Sequence, residues 1–101
     1  MASTEPGSHE VIMMSQKSVE IYTWRTCPFC LRAKALLDSK GVQYTEYQID
    51  GDDEAKAKMS ERANGRRTVP QIFVDKDQHL GGSDDLYALE SEGKLNALLG
   101  I

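Results

Sequence analysis

The sequence predicts an α/β domain in which a four-stranded mixed sheet is flanked by helices. Three observations carry this. Short β-like runs, Val19–Trp24 and Gln71–Val74, alternate with stretches of helical period. Clusters of Asp, Asn and Gly fall between these runs and punctuate them. A length of 101 residues with 40% hydrophobic and 28% charged residues suits one domain with one core.

Taken in order, Val19-Glu20-Ile21-Tyr22-Thr23-Trp24 reads as a buried strand. Pro28–Lys40 reads as a helix whose apolar face holds Ala33, Leu36, Leu37 and, at the same spacing, Leu31. Gly41 stands where a helix is commonly closed by a left-handed residue. Val42–Ile49 reads as a second strand with an unclear inward face, because Val42 and Tyr44 keep one phase while Tyr47 and Ile49 keep the other. Asp50-Gly51-Asp52-Asp53 is a turn that caps a helix over Glu54–Ala63, and Asn64-Gly65 stops it. Gln71–Val74 is a third strand, Asp75-Lys76-Asp77 a hairpin turn and Gln78-His79-Leu80 a fourth strand. Gly82 or Ser83 caps a helix with Leu86 and Leu89 inward and Asp84 and Asp85 at its positive end, and Leu95–Leu99 closes the chain. The order βαβ, α, ββ, α carries a right-handed crossover between the first two strands.

Residues 1–17 show no organised pattern and are expected to be a disordered tail, leaving 18–101 as the domain. Val11–Met14 is too short for a signal core and lacks a preceding basic segment. A net charge of −4 disfavours nucleic acid, and no stretch is long and apolar enough for a bilayer. The two cysteines form no disulfide framework, and the expected setting is a cytoplasmic monomer.

Those cysteines carry the chemistry. Cys27-Pro28-Phe29-Cys30 links the first strand to the first helix. With Cys27 at the N-cap and Pro28 at the first helical position, the free N–H groups of Phe29 and Cys30 are expected to point at the Cys27 sulfur and stabilise a thiolate. Cys30, one turn in, is the more buried. Cys27 is therefore the attacking thiol and Cys30 the resolving one. Structural zinc needs four ligands and only His9 and His79 remain, so no metal is expected. Arg25, on the loop before the thiol, adds favourable charge, whereas Lys34 reads as a solvated helix-face charge. In Thr68-Val69-Pro70, a cis Val69–Pro70 bond is expected to leave the Val69 N–H and C=O beside Cys27, an edge for an extended peptide. In Gly81-Gly82-Ser83-Asp84, glycines admit a ligand to the backbone, the helix N-terminus suits a carboxylate and Asp84 suits an ammonium, together the α-amino-acid end of a γ-glutamyl group.

Thr26-Cys27-Pro28-Phe29-Cys30, Thr68-Val69-Pro70-Gln71 and Gly81-Gly82-Ser83-Asp84-Asp85-Leu86-Tyr87-Ala88-Leu89, in this order, resemble the small dithiol glutaredoxins of bacteria and cyanobacteria. The resemblance covers Val19 to about Leu99. It implies a thioredoxin fold and a glutathione-dependent thiol–disulfide oxidoreductase that reduces glutathionylated or disulfide-bearing proteins, with glutathione as co-substrate. It implies that Cys27 and Cys30 are catalytic. Thr68, Val69 and Pro70 then flank the glutathione cysteine, with Phe29 beside the thiols. Gly82, Ser83 and Asp84 hold the γ-glutamyl end, and Arg25 and Lys56 meet the glycyl end. Phe29 departs from the commoner tyrosine, which bears on redox tuning. Ala63-Asn64-Gly65-Arg66-Arg67 is one residue longer than in some relatives, which lets Arg66 and Arg67 share the role of Lys56. Two other functions compete. One is a thioredoxin-like reductant served by a flavoprotein reductase, against which Arg25 and Gly82-Ser83-Asp84 count. The other is an iron–sulfur cluster carrier using Cys27 plus glutathione in a dimer, against which Pro28 and Cys30 count.

Overall fold

The computed structural model describes residues 16–101. The expected disordered tail lies outside these residues except at Gln16 and Lys17, and those two dock on the domain. The Lys17 N–H donates to the Leu99 carbonyl at 2.9 Å. The Gln16 amide donates to the Gln43 carbonyl at 2.7 Å and accepts from the Gln43 N–H at 2.8 Å.

The described residues form strands β1 (Val19–Thr23), β2 (Thr45–Gln48), β3 (Gln71–Val74) and β4 (Gln78–Gly81). The helices are α1 (Pro28–Ser39), α2 (Asp53–Arg62), α3 (Ser83–Ser91) and α4 (Leu95–Leu99). The sheet order is β2-β1-β3-β4, with β1 and β2 parallel and the other two pairings antiparallel. The expected α/β architecture, a four-stranded mixed sheet flanked by helices, is the one observed.

Alternation along the two central strands builds two cores. Val19, Ile21, Ile72 and Val74 point to one face and pack with Ala33 and Leu37 of α1, Leu86 of α3, and Leu95 and Leu99 of α4. Tyr22 and Phe73 point to the other face and pack with Met59 and Ala63 around α2. This division explains the broken phase of the second strand. Val42 belongs to the first core and Ile49 to the second, so the segment is pinned at both ends to opposite sides of the sheet, and only Thr45–Gln48 pairs with β1. Leu31, expected on the apolar face of α1, is 59% exposed.

The helix ends follow local chemistry. Gly41 closes α1 with φ +69°. The Asp52 carboxylate accepts the Ala55 N–H at 3.0 Å and starts α2. Asp75 and Lys76, both at positive φ, turn β3 into β4. The C-terminal end of β1, the start of α1, the Thr68–Pro70 loop and the start of α3 meet at one end of the sheet.

Candidate active site

Cys27 is the extended N-cap of α1 and Pro28 its first residue, as expected. The Cys30 N–H donates to Cys27 Sγ at 3.3 Å. Of the two N–H groups expected at the sulfur, that of Cys30, at the third helical position, makes this bond and that of Phe29 does not. Cys27 is 7% exposed and Cys30 1%. Both are free thiols. Burial, then the neighbouring Cys27, push the Cys30 thiol up to about 12, against the pull of the Trp24 backbone N–H and the Lys34 charge.

Lys34 is not the solvated charge its position suggests. It follows Cys30 by one helical turn, is 20% exposed at the side chain, and donates to Glu46 Oε2 at 2.9 Å. The buried Thr23 hydroxyl donates to the same oxygen at 2.7 Å. Burial alone would raise the Glu46 carboxyl, but Lys34 and Thr23 outweigh it and hold it low.

The Val69–Pro70 bond is cis, as expected. The Val69 carbonyl oxygen lies 4.0 Å from Cys27 Sγ, at the outer limit for a thiol donor. Behind it, Gly82 packs so closely that a Cβ there would stand 3.2 Å from the Pro70 carbonyl oxygen. Gly82, not Ser83, is the N-cap of α3. The Ser83 hydroxyl, in a residue 4% exposed, has no hydrogen-bond partner among the described residues. The Asp85 carboxylate accepts the Gly82 N–H at 2.9 Å and Arg66 at 3.0 Å. The Gly82 N–H first, and Arg66 after it, hold Asp85 below the usual carboxylate range, although burial opposes them.

Two shallow clefts share Phe29, Thr68 and Val69 and so form one groove. One end holds Trp24, Thr26, Cys27 and Arg67. The other holds Arg66, Pro70, Gly82, Ser83 and Asp84. The groove thus joins Cys27 to Phe29, Thr68–Pro70 and Gly82–Asp84. It does not take in Arg25 or Lys56. The Arg25 Nε donates to Asp50 Oδ2 at 3.0 Å from a side chain 72% exposed, and Lys56 Nζ stands 5.7 Å above the Trp24 ring. The cations that line the groove are Arg66 and Arg67, which the longer Ala63–Arg67 stretch had suggested. Trp24 was missed as a site residue because it reads as the end of a strand, yet it is 40% exposed.

A thiol at a helix N-terminus, a buried second thiol one turn on, and a cis-proline edge facing them define a thiol–disulfide oxidoreductase of the thioredoxin fold. The glutaredoxin family profile matches residues 19–80. A probable glutaredoxin of Synechocystis sp. is 61% identical over 87 residues, covering 86% of this chain and 98% of its own. The solution structure of glutaredoxin from Brucella melitensis superposes with a TM-score of 0.74 at 52% identity, over 85% of this chain and 91% of that one. The crystal structure of a buckwheat glutaredoxin–glutathione complex superposes with a TM-score of 0.75 at 26% identity, over 93% and 94%. The chain belongs to the glutaredoxin family.

Proposed function

We propose that this protein reduces protein disulfides and glutathione mixed disulfides with glutathione as the electron donor. The observation that carries the reading is the buried, unpartnered Ser83 hydroxyl at the first position of α3. A buried hydroxyl left without a partner costs about 1–3 kcal/mol. A carboxylate docked on the free N–H groups of α3 would satisfy it and the helix dipole together. Asp84 beside it suits an ammonium, and this pair describes the γ-glutamyl end of glutathione. The Val69 edge then lies where an extended tripeptide passes toward Cys27. The buckwheat glutaredoxin bound to glutathione supports the same ligand. Arg67, which lines the Cys27 end of the groove, would meet the glycyl carboxylate, with Arg25 and Lys56 as outer charges.

With a glutathione mixed disulfide, the Cys27 thiolate attacks the glutathione sulfur. The S–S bond of the substrate breaks and the protein thiol leaves. A second glutathione thiolate then attacks the sulfur of that glutathione, and glutathione disulfide departs with Cys27 restored as thiolate. With a protein disulfide, Cys27 becomes disulfide-bonded to the protein. Cys30 attacks Cys27, its proton passes to the departing sulfur, and the Cys27–Cys30 disulfide is reduced by two glutathiones.

The test is turnover of a glutathione mixed disulfide, coupled to glutathione reductase and NADPH. Glutathione-dependent turnover that is abolished by Cys27→Ser and shows a raised KM in Ser83→Ala is expected. Reduction driven by a flavoprotein thioredoxin reductase and indifferent to glutathione would overturn the reading.

A further inference from the structure

Gln71 is fully buried in β3, and an amide sealed in a core must find partners for both its ends. Its Nε2 donates to the Thr68 carbonyl at 3.0 Å and to the Thr68 hydroxyl at 3.3 Å. That fixes which way the amide faces, and its oxygen points across the sheet to His79 Nε2 at 2.6 Å. Because an amide oxygen only accepts, the shared proton belongs to His79 Nε2 and leaves Nδ1 bare. The imidazole is itself held by stacking on Phe73, with centroids 4.9 Å apart and planes at 23°. Burial first, and Arg66 second, lower the His79 pKa, with Asp85 opposing, which favours the neutral ring.

The other end of this chain is exposed. Thr68 lines both halves of the groove and precedes the Val69 edge. We propose that His79 and Gln71 form a positioning relay that fixes the Thr68 carbonyl and hydroxyl, and through them the Val69 edge, in the geometry that receives the peptide backbone of glutathione. This rests on the glutathione reading above. The relay touches neither substrate nor sulfur. Its loss therefore acts on binding and leaves the thiol chemistry in place. A buried amide is well suited to the task, because leaving its oxygen unpaired is costly and so opposes loop conformations that break the chain.

His79→Phe retains the stacking on Phe73 and removes the donor. The expected result is a KM for a glutathione mixed disulfide raised by about two- to tenfold, the worth of one net hydrogen bond, with kcat unchanged. His79→Gln, which carries an amide N–H at a similar reach, is expected to restore the KM. A long-range proton–nitrogen NMR spectrum of the whole protein is expected to show His79 protonated at Nε2 and bare at Nδ1 near neutral pH. An Nδ1–H tautomer overturns the proposal. So does a wild-type KM in His79→Phe, or a His79→Gln variant as impaired as His79→Phe. If the wild-type protein proves indifferent to glutathione, the glutathione reading fails. The relay is then judged by whether His79→Phe moves the Thr68 and Val69 amide resonances, as it predicts, or leaves them in place, which refutes it.

Discussion

The 3.3 Å contact between the Cys30 N–H and Cys27 Sγ makes two cysteines of one motif chemically unequal. Cys27 receives a backbone donor at a helix start, whereas Cys30 is buried behind it and pushed up to about 12. At neutral pH Cys30 therefore stays a thiol. In the proposed cycle, a Cys27 held in a mixed disulfide no longer contributes to raising Cys30, which makes the resolving attack easier. Two outcomes follow. Reduced protein treated with iodoacetamide at about pH 8, below the free-thiol value of about 8.5, is expected to take one label, mapped by mass spectrometry to Cys27. Equal labelling of Cys30 would contradict its burial. Cys30→Ser is expected to keep turnover of glutathione mixed disulfides, in which glutathione resolves the intermediate, and to lose most reduction of protein disulfides. Equal loss in both assays would give Cys30 another role. The unequal placement of these two residues was legible in the sequence because helix capping is local. Those of Lys34 and Arg25 were not. Their partners, Glu46 and Asp50, come from the far side of a strand crossover, and no local pattern shows which carboxylate a cation meets.

At the scale of elements, the junction of β4 and α3 does the most for the groove. Gly81 has φ +107°, and a Cβ there would clash with Asp85 Oδ2 and lie 2.8 Å from Asp85 Cβ. The glycine is needed both for the backbone and for the carboxylate that caps α3. Gly81→Ala is expected to cost about 1–3 kcal/mol, read by urea unfolding. Because its Cβ displaces Asp85, combination with Asp85→Ala should cost less than the sum of the two. An additive pair would mean that the two residues do not interact. Asp85→Asn keeps the shape and removes the charge. Asp85 is depressed in the folded state, so its contribution is complete above the unfolded value of about 3.9 and is lost as pH falls through the folded one. The variant should be less stable by about 0.5 kcal/mol near neutral pH, the low end because the side chain is 48% exposed. That gap should close in acid, and a gap that persists there would exclude a charge effect. The Gly-Gly-Ser-Asp signal was legible because glycines and acidic residues mark a helix start wherever it sits. The second strand was less legible, since its two ends answer to different cores.

Across the whole molecule the groove depends on two layers of helices held to one sheet, and the α2 layer is thinly apolar. Its core of Tyr22, Ile49, Met59, Ala63 and Phe73 is the smaller of the two. Arg62 reinforces it. Its guanidinium donates to Tyr22 Oη at 2.8 Å, Glu20 Oε1 at 2.7 Å and the Lys76 carbonyl at 2.7 Å, and it lies 4.2 Å over the Phe73 ring. One side chain thus ties α2 to β1 and to the β3–β4 turn. The arginine's hydrogen bond, above all, lowers the Glu20 carboxyl. In the sequence Arg62 is one charge at the end of a polar helix, and nothing local distinguishes it from Lys58 or Glu61. Its weight comes from long-range pairing that only the fold creates. Arg62→Ala removes three bonds from a side chain only 28% exposed and is expected to destabilise by about 2 kcal/mol, within the range for bonds to charged groups. In a domain of this size that corresponds to a fall in Tm of roughly 8–16 °C. The Glu20 and Lys76 contacts lie at the end of the sheet opposite Cys27, which follows the other end of β1. Turnover per folded molecule at low temperature should therefore be close to wild type, measured alongside calorimetry. A small change in Tm would show that water replaces these bonds at little cost. A large loss of turnover with an intact fold would show that α2 transmits its placement through Arg66 and Thr68 to the groove.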